Sequence, residues 1–122
     1  MRSKHQHLRT LAEEEVKHLL RTLPKELRDR AAAVPVVCDG RSTAELEEED
    51  LGDTLGLFVG ENMLELGRGS ALPAQIILYL QNLWLEAEED EDTFRREVRT
   101  TLLHELGHFL GLEETDLDER GL

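Results

Sequence analysis

Apolar residues recur at helical spacing along the start of the chain. Between His7 and Leu20, residues Leu8, Leu11, Ala12, Val16, Leu19 and Leu20 return every three or four positions, while Glu13, Glu14, Lys17 and Arg21 take the other side. At about 100° per residue these positions form one stripe, and an amphipathic helix is predicted. It stops near Leu23, because a residue preceding proline is pushed out of the α region and Pro24 cannot donate to the ladder. Pro24 also suits the first turn of a second, short helix over P-K-E-L-R-D-R.

The pattern then changes period. V-P-V-V-C, Val34 to Cys38, is a short β-branched run closed by the turn pair Asp39-Gly40, and Pro35 places it at a sheet edge or a strand start. Residues 41–53 are dominated by acidic side chains and are predicted to be a solvated loop. T-L-G-L-F-V-G reads as a strand, and a further apolar stretch after Gly60-Glu61-Asn62 completes a hairpin. Ile76 to Leu80 is the strongest strand signal, and Gln81 to Leu85 fits either its extension or a helix. Residues 86–92 form a second acidic loop. Asp92 or Thr93 can cap a last long helix, whose apolar residues Phe94, Val98, Leu102, Leu103, Leu106, Phe109 and Leu110 cover a broad face that ends at Gly111. The order of elements predicts an α+β fold: a small mixed sheet packed on an N-terminal and a C-terminal helix. One domain over residues 1–122 is expected, with 1–6 disordered.

Composition narrows the function. Asp and Glu outnumber Lys and Arg by 27 to 14, for a formal charge of −13, and such a field keeps a protein soluble, repels phosphate backbones and welcomes a cation. Nucleic acid is therefore an unfavourable partner. Cys38 is the single cysteine, no apolar run approaches membrane-spanning length, and the basic start of the chain leads into charged helix instead of an apolar leader. A cytoplasmic protein without a membrane partner is expected.

The candidate chemistry lies in H-E-L-G-H, residues 104–108. In a chain with five His and nineteen Glu, this pentapeptide pattern arises by shuffling with a probability of roughly 3%. Adding Gly111 and the acidic Glu114 at their spacings lowers that to roughly 0.05%. His104 and His108 lie one turn apart on one helix face, so both imidazoles can reach one ion. Catalytic zinc takes three protein ligands and keeps a position for water. Gly111 can end the helix and reverse the chain, so that a downstream carboxylate returns to the ion; Glu114 is best placed, with Asp116 and Glu113 as competitors. Glu105, beside the first ligand, can take a proton from the activated water as general base. His5, His7 and His18 lie far from this cluster in the sequence, and ordinary surface or core roles are expected for them.

H-E-L-G-H-F-L-G-L-E-E is similar to the zincin metallopeptidase signature, with metzincin-like spacing and an acidic residue in place of the third histidine. The succession L-P-K-E-L, V-P-V-V, T-L-G-L-F-V-G, L-P-A-Q-I-I-L-Y-L and the histidine helix resembles the minimal zincin-like metallopeptidases of bacteria, from about Leu19 to Asp118. The resemblance implies a pared-down α+β zincin fold, zinc on His104, His108 and, by position, Glu114, general-base catalysis by Glu105, and a peptide or unfolded-protein substrate. Aspartate is frequent at the third-ligand place in that family; glutamate there is one methylene longer and keeps Asp116 a candidate. No Met follows Met63, so the Met-turn of metzincins has no counterpart, and no His or Tyr follows His108. Tyr79, Arg120 or the metal itself remain as stabilisers of a developing oxyanion. Two functions fit: a zinc-dependent metallopeptidase, or a zinc-stabilised, non-catalytic binding or adaptor module that retains the metal site. The oligomeric state is not specified by the sequence.

Overall fold

Two long helices and a three-stranded sheet share the apolar residues picked out above. The computed structural model describes residues 3–60 and 74–111. The elements run α1 (Lys4–Thr22), α2 (Lys25–Ala31), β1 (Val36–Asp39), α3 (Thr43–Glu47), β2 (Gly56–Val59), β3 (Gln75–Tyr79), α4 (Leu80–Glu86) and α5 (Glu91–Leu110). Strand order is β1-β3-β2, with β1 parallel and β2 antiparallel to β3, so the sheet is mixed and the fold α+β, as the pattern predicted.

Register decides which side chains meet the helices. Val36, Ile76 and Phe58 form one cross-strand row, and Cys38, Leu78 and Gly56 the next, both on the face under α1 and α5. The intervening row, Val37, Ile77 and Leu57, points the other way, and Val37 is exposed. Beneath the helices, Ile76 and Leu78 join Leu8, Leu11 and Ala12 of α1 with Phe94, Val98, Leu102 and Leu106 of α5 in one core. Cys38 belongs to it, and burial pushes its thiol up to about 11, which leaves it an inert core group.

Several boundaries differ from the pattern-based reading. α1 begins at Lys4, three residues before His7, because Ser3 and Gln6 form a reciprocal capping box; helical order thus reaches into the segment 1–6 expected to lack it. The helix does stop before the proline, with Leu23 extended and Pro24 as the N-cap of α2. The acidic segment 41–53 contains α3, opened by a capping box between Ser42 and Glu45 and held by the buried Leu46. Gln81 to Leu85 is helical, within α4. α5 starts two residues early: Asp90, not Asp92 or Thr93, caps it by accepting from the Thr93 N–H at 2.9 Å. β2 pairs with β3, whereas the second arm expected for its hairpin lies outside the described residues.

Two polar clusters tie the elements together. Glu15, buried on α1, accepts from Arg95 at 3.0 Å and Arg99 at 3.4 Å and so pins α1 to α5. Asn82 on α4 is 4% exposed; its amide donates to the carbonyls of Leu51 at 2.9 Å and Thr54 at 2.7 Å and its oxygen accepts from the Thr43 hydroxyl. The Tyr79 N–H bonds the next carbonyl, that of Leu55. Together they fix the approach of the chain into β2. Replacing Asn82 by Ala strands three polar partners, each worth about 1–3 kcal/mol if left dry, and water reaches some of them. Asn82→Ala is expected to lower unfolding free energy by about 2–3 kcal/mol in urea titrations, and a loss below about 0.5 kcal/mol would contradict this role.

Candidate metal centre

α5 carries two faces with different duties. Phe94, Val98, Leu102, Leu106 and Phe109 are buried in the core, and Phe109 stacks at a tilt on Phe58 of β2 with ring centroids 5.8 Å apart. Turned toward the helix margin are His104 and His108, both exposed, with the 6%-exposed Glu105 between them. The histidine rings lie 4.5 Å apart, tilted by 57°. One ligand atom from each of His104, Glu105 and His108 falls within 4.8 Å of the others. The structure therefore brings the motif's three polar residues into reach of a single small ion.

Glu105 is the unusual member. Among the described residues its Oε2 is buried and has no hydrogen-bond partner, a state that costs free energy unless a donor arrives. A water or cation beside the imidazoles relieves it. Two imidazole nitrogens one turn apart suit zinc, and a carboxylate beside them can hold a water at the ion, so these residues fit the metal their spacing suggests.

Gly111 closes the helix. Its φ of 73° and ψ of 26° are left-handed, and its N–H bonds the carbonyls of Gly107 and His108. This ending is glycine-specific, since a Cβ is disfavoured at that φ. Glu113, Glu114, Asp116 and Arg120 lie outside the described residues.

Beside His104 a cavity of about 420 Å³ runs between α5 and the start of β2. Thr54, Leu55 and Gly56 form one wall, and Glu97, Thr101, His104 and Glu105 the other. Gly56 is a requirement of this geometry: a Cβ there would stand 2.5 Å from the Thr101 methyl and 3.3 Å from the Ile77 carbonyl. Neither the cavity nor its strand wall was anticipated from sequence. Glu97, however, sits seven residues before His104, on the same helix face, and that periodicity was a usable signal.

Other predicted candidates go elsewhere. Tyr79 is buried at the end of β3 and does not line the cavity; burial, and then the nearby Asp39 carboxylate, push its phenol up. His5 packs its ring on Gly40, His7 meets Glu91 at 3.1 Å, and His18 is exposed on α1.

The profile of the family described as zincin-like metallopeptidase matches residues 31–122, which takes in the sheet, α5 and the histidine motif. A search of curated proteins finds no match. Membership in such a family implies a metal cofactor, and the cluster on α5 is where this chain could hold one. Elemental analysis after zinc loading and desalting is expected to give close to one equivalent, with His104→Ala and His108→Ala each lowering affinity by at least about a hundredfold. Full zinc retention in the His104→Ala, His108→Ala double variant would place the metal elsewhere.

Proposed function

The chain belongs to the zincin-like metallopeptidase family, and on that premise we propose that it is a zinc-dependent peptidase that uses Glu105 as general base. The observation that carries this reading is the buried Glu105 Oε2, unpartnered among the described residues, beside two exposed imidazoles, with Glu105 and His104 lining a cavity. A carboxylate with no partner of its own is available to a water, and its position beside both histidines puts that water next to the metal ligands.

His104 and His108 would hold the ion, with Glu114 proposed as the third ligand and Asp116 as the alternative. A bound zinc ion supplies Lewis acidity, which makes water a competent nucleophile near neutral pH and polarises a peptide carbonyl. Glu105 accepts the proton as the water oxygen bonds to the carbonyl carbon. It then delivers that proton to the departing amide nitrogen, so that hydroxyl and hydrogen of one water end on the two product termini. The apolar residues on the inner face of α5 keep the Glu105 backbone fixed while its carboxylate makes both transfers.

The substrate is proposed to be a peptide or an unfolded chain. Among the described residues β2 pairs on one side only, with β3, and Gly56 at its start lines the cavity. An extended peptide can add to the other edge of β2 by main-chain hydrogen bonds and lay a scissile bond beside His104 and Glu105. The charge of −13 disfavours nucleic acid. No helix among the described residues is long and apolar enough to cross a membrane. Action in the cytoplasm is proposed, on the single cysteine and its burial.

Glu105→Gln keeps the shape of the side chain and removes the base. It is expected to retain about one zinc while lowering hydrolysis of a fluorogenic casein or peptide mixture by at least about 10³-fold. An unaffected variant, or cleavage that survives removal of zinc, would falsify the assigned chemistry. Stoichiometric zinc in a wild-type protein that cleaves nothing would favour the non-catalytic binding module.

A further inference from the structure

We infer that the cavity between α5 and β2 is a subsite for a basic side chain of the bound peptide, and that Glu97 is the residue that selects it. This rests on the reading of the site as a peptidase cleft and names its substrate class.

Among the described residues the cavity is lined by small or uncharged groups apart from three. Thr54, Leu55, Gly56, Thr100 and Thr101 contribute hydroxyls, an aliphatic wall and bare backbone. Of the charged or ionisable groups lining it among the described residues, His104 and Glu105 belong to the candidate metal cluster, which leaves Glu97 as the carboxylate to meet a substrate side chain. Seven residues separate Glu97 from His104, which places them within about 20° of each other around the helix and about 10.5 Å apart along it. That spacing matches a lysine or arginine whose backbone lies at the metal cluster: the aliphatic stem follows the cavity and the cationic head meets a glutamate reaching toward it.

Among the described residues, the arginines that flank this carboxylate on α5 have other partners. Arg95 is engaged by Glu14 and Glu15, Arg99 by Glu15, and Arg96 donates to the Thr93 hydroxyl. All three arginines of α5 that flank Glu97 are thus committed away from the cavity, while Glu97 itself is half-buried in its wall. Half-burial strengthens a charge pair relative to bulk water, and the overall charge of −13 draws cationic peptides toward the molecule. Gly56 completes the subsite. Any larger residue would push β2 off Thr101 or fill the space that the stem occupies.

Binding can be read without turnover. Fluorescein-labelled, alanine-rich heptapeptides with a central Lys, Met or Glu are titrated by anisotropy against zinc-loaded Glu105→Gln protein, alone and combined with Glu97→Gln or Glu97→Lys. The Lys peptide is expected to bind about tenfold tighter than the Met peptide in the parent, and the preference is expected to shrink as salt rises from about 0.05 to 0.5 M. Glu97→Gln brings the two affinities within about twofold without weakening the Met peptide, and Glu97→Lys turns the preference to the Glu peptide. Melting temperatures within about 3 °C of the parent establish that both variants are folded. A Lys preference that survives Glu97→Gln, or its absence in the parent at every salt concentration, overturns the inference. If the preference holds and wild-type protein cleaves no peptide, the hydrolytic reading falls and the subsite stands. If wild-type protein cleaves Met and Lys peptides alike, regardless of residue 97, the reverse applies.

Discussion

Everything in this fold depends on how α5 is buried. One helix must cover the sheet and contact α1, and its opposite margin must remain open for two imidazoles. The core side is satisfied by Phe94, Val98, Leu102, Leu106 and Phe109, which meet Ile76 and Leu78 below and Leu8, Leu11 and Ala12 alongside. Burying side chains of this size contributes about 1.5–3 kcal/mol each before entropy is counted, far more than any single polar contact in the molecule. Because that face is fixed, the angular positions of His104, Glu105 and His108 are fixed with it. Glu105 falls just inside the margin and is buried; the histidines fall just outside and are exposed. The difference between a desolvated carboxylate and accessible imidazoles is set by rotation about one helix axis.

The second determinant is the distance of β2 from α5. It is held from below by antiparallel pairing with β3, from the side by the Asn82 and Tyr79 bonds to the chain before it, and from above by contact between Gly56 and Thr101. Those restraints come from three separate elements. A carboxamide on α4 is consequently part of the architecture of the cleft although it touches none of the motif residues. Glu15 has a comparable part on the far side of α5, where it fixes the helix against α1 through Arg95 and Arg99.

How much of this was readable beforehand depends on range. α1 and α5 were legible because each displays an apolar stripe long enough to be unambiguous, and H-E-L-G-H was legible because its geometry is internal to one helix. The short helices were not. α3 buries a single Leu46 in a run of like charge, so no stripe exists to be seen, although Ser42 and Glu45 offered a capping box. α4 follows β3 with no break, and only tertiary packing of Leu80 and Leu83 decides its state. Pro35 correctly marked an edge, since β1 is an outer strand of the described sheet. The pairing of β2 with β3, and with it the cavity wall, joins residues some twenty positions apart and leaves no local trace. Glu97 stood on the right face all along, and its seven-residue spacing from His104 marked that face, but without β2 opposite it the spacing did not reveal a cavity.

The parallel pairing of β1 with β3 carries a consequence for how the chain comes together. Val36 pairs with Ile76, and the entire α3–β2 passage lies between two adjacent strands, while Glu15 waits for Arg95. Such contacts pay their loop-closure entropy before packing rewards them, which favours late, collective assembly. α5 is the last described element, and the described elements it packs against all precede it. A nascent chain that has not yet released α5 has neither the histidine cluster nor the second wall of the cleft. The order of synthesis alone thus delays the pairing of the histidine cluster with its cleft until the rest of the described core is in place.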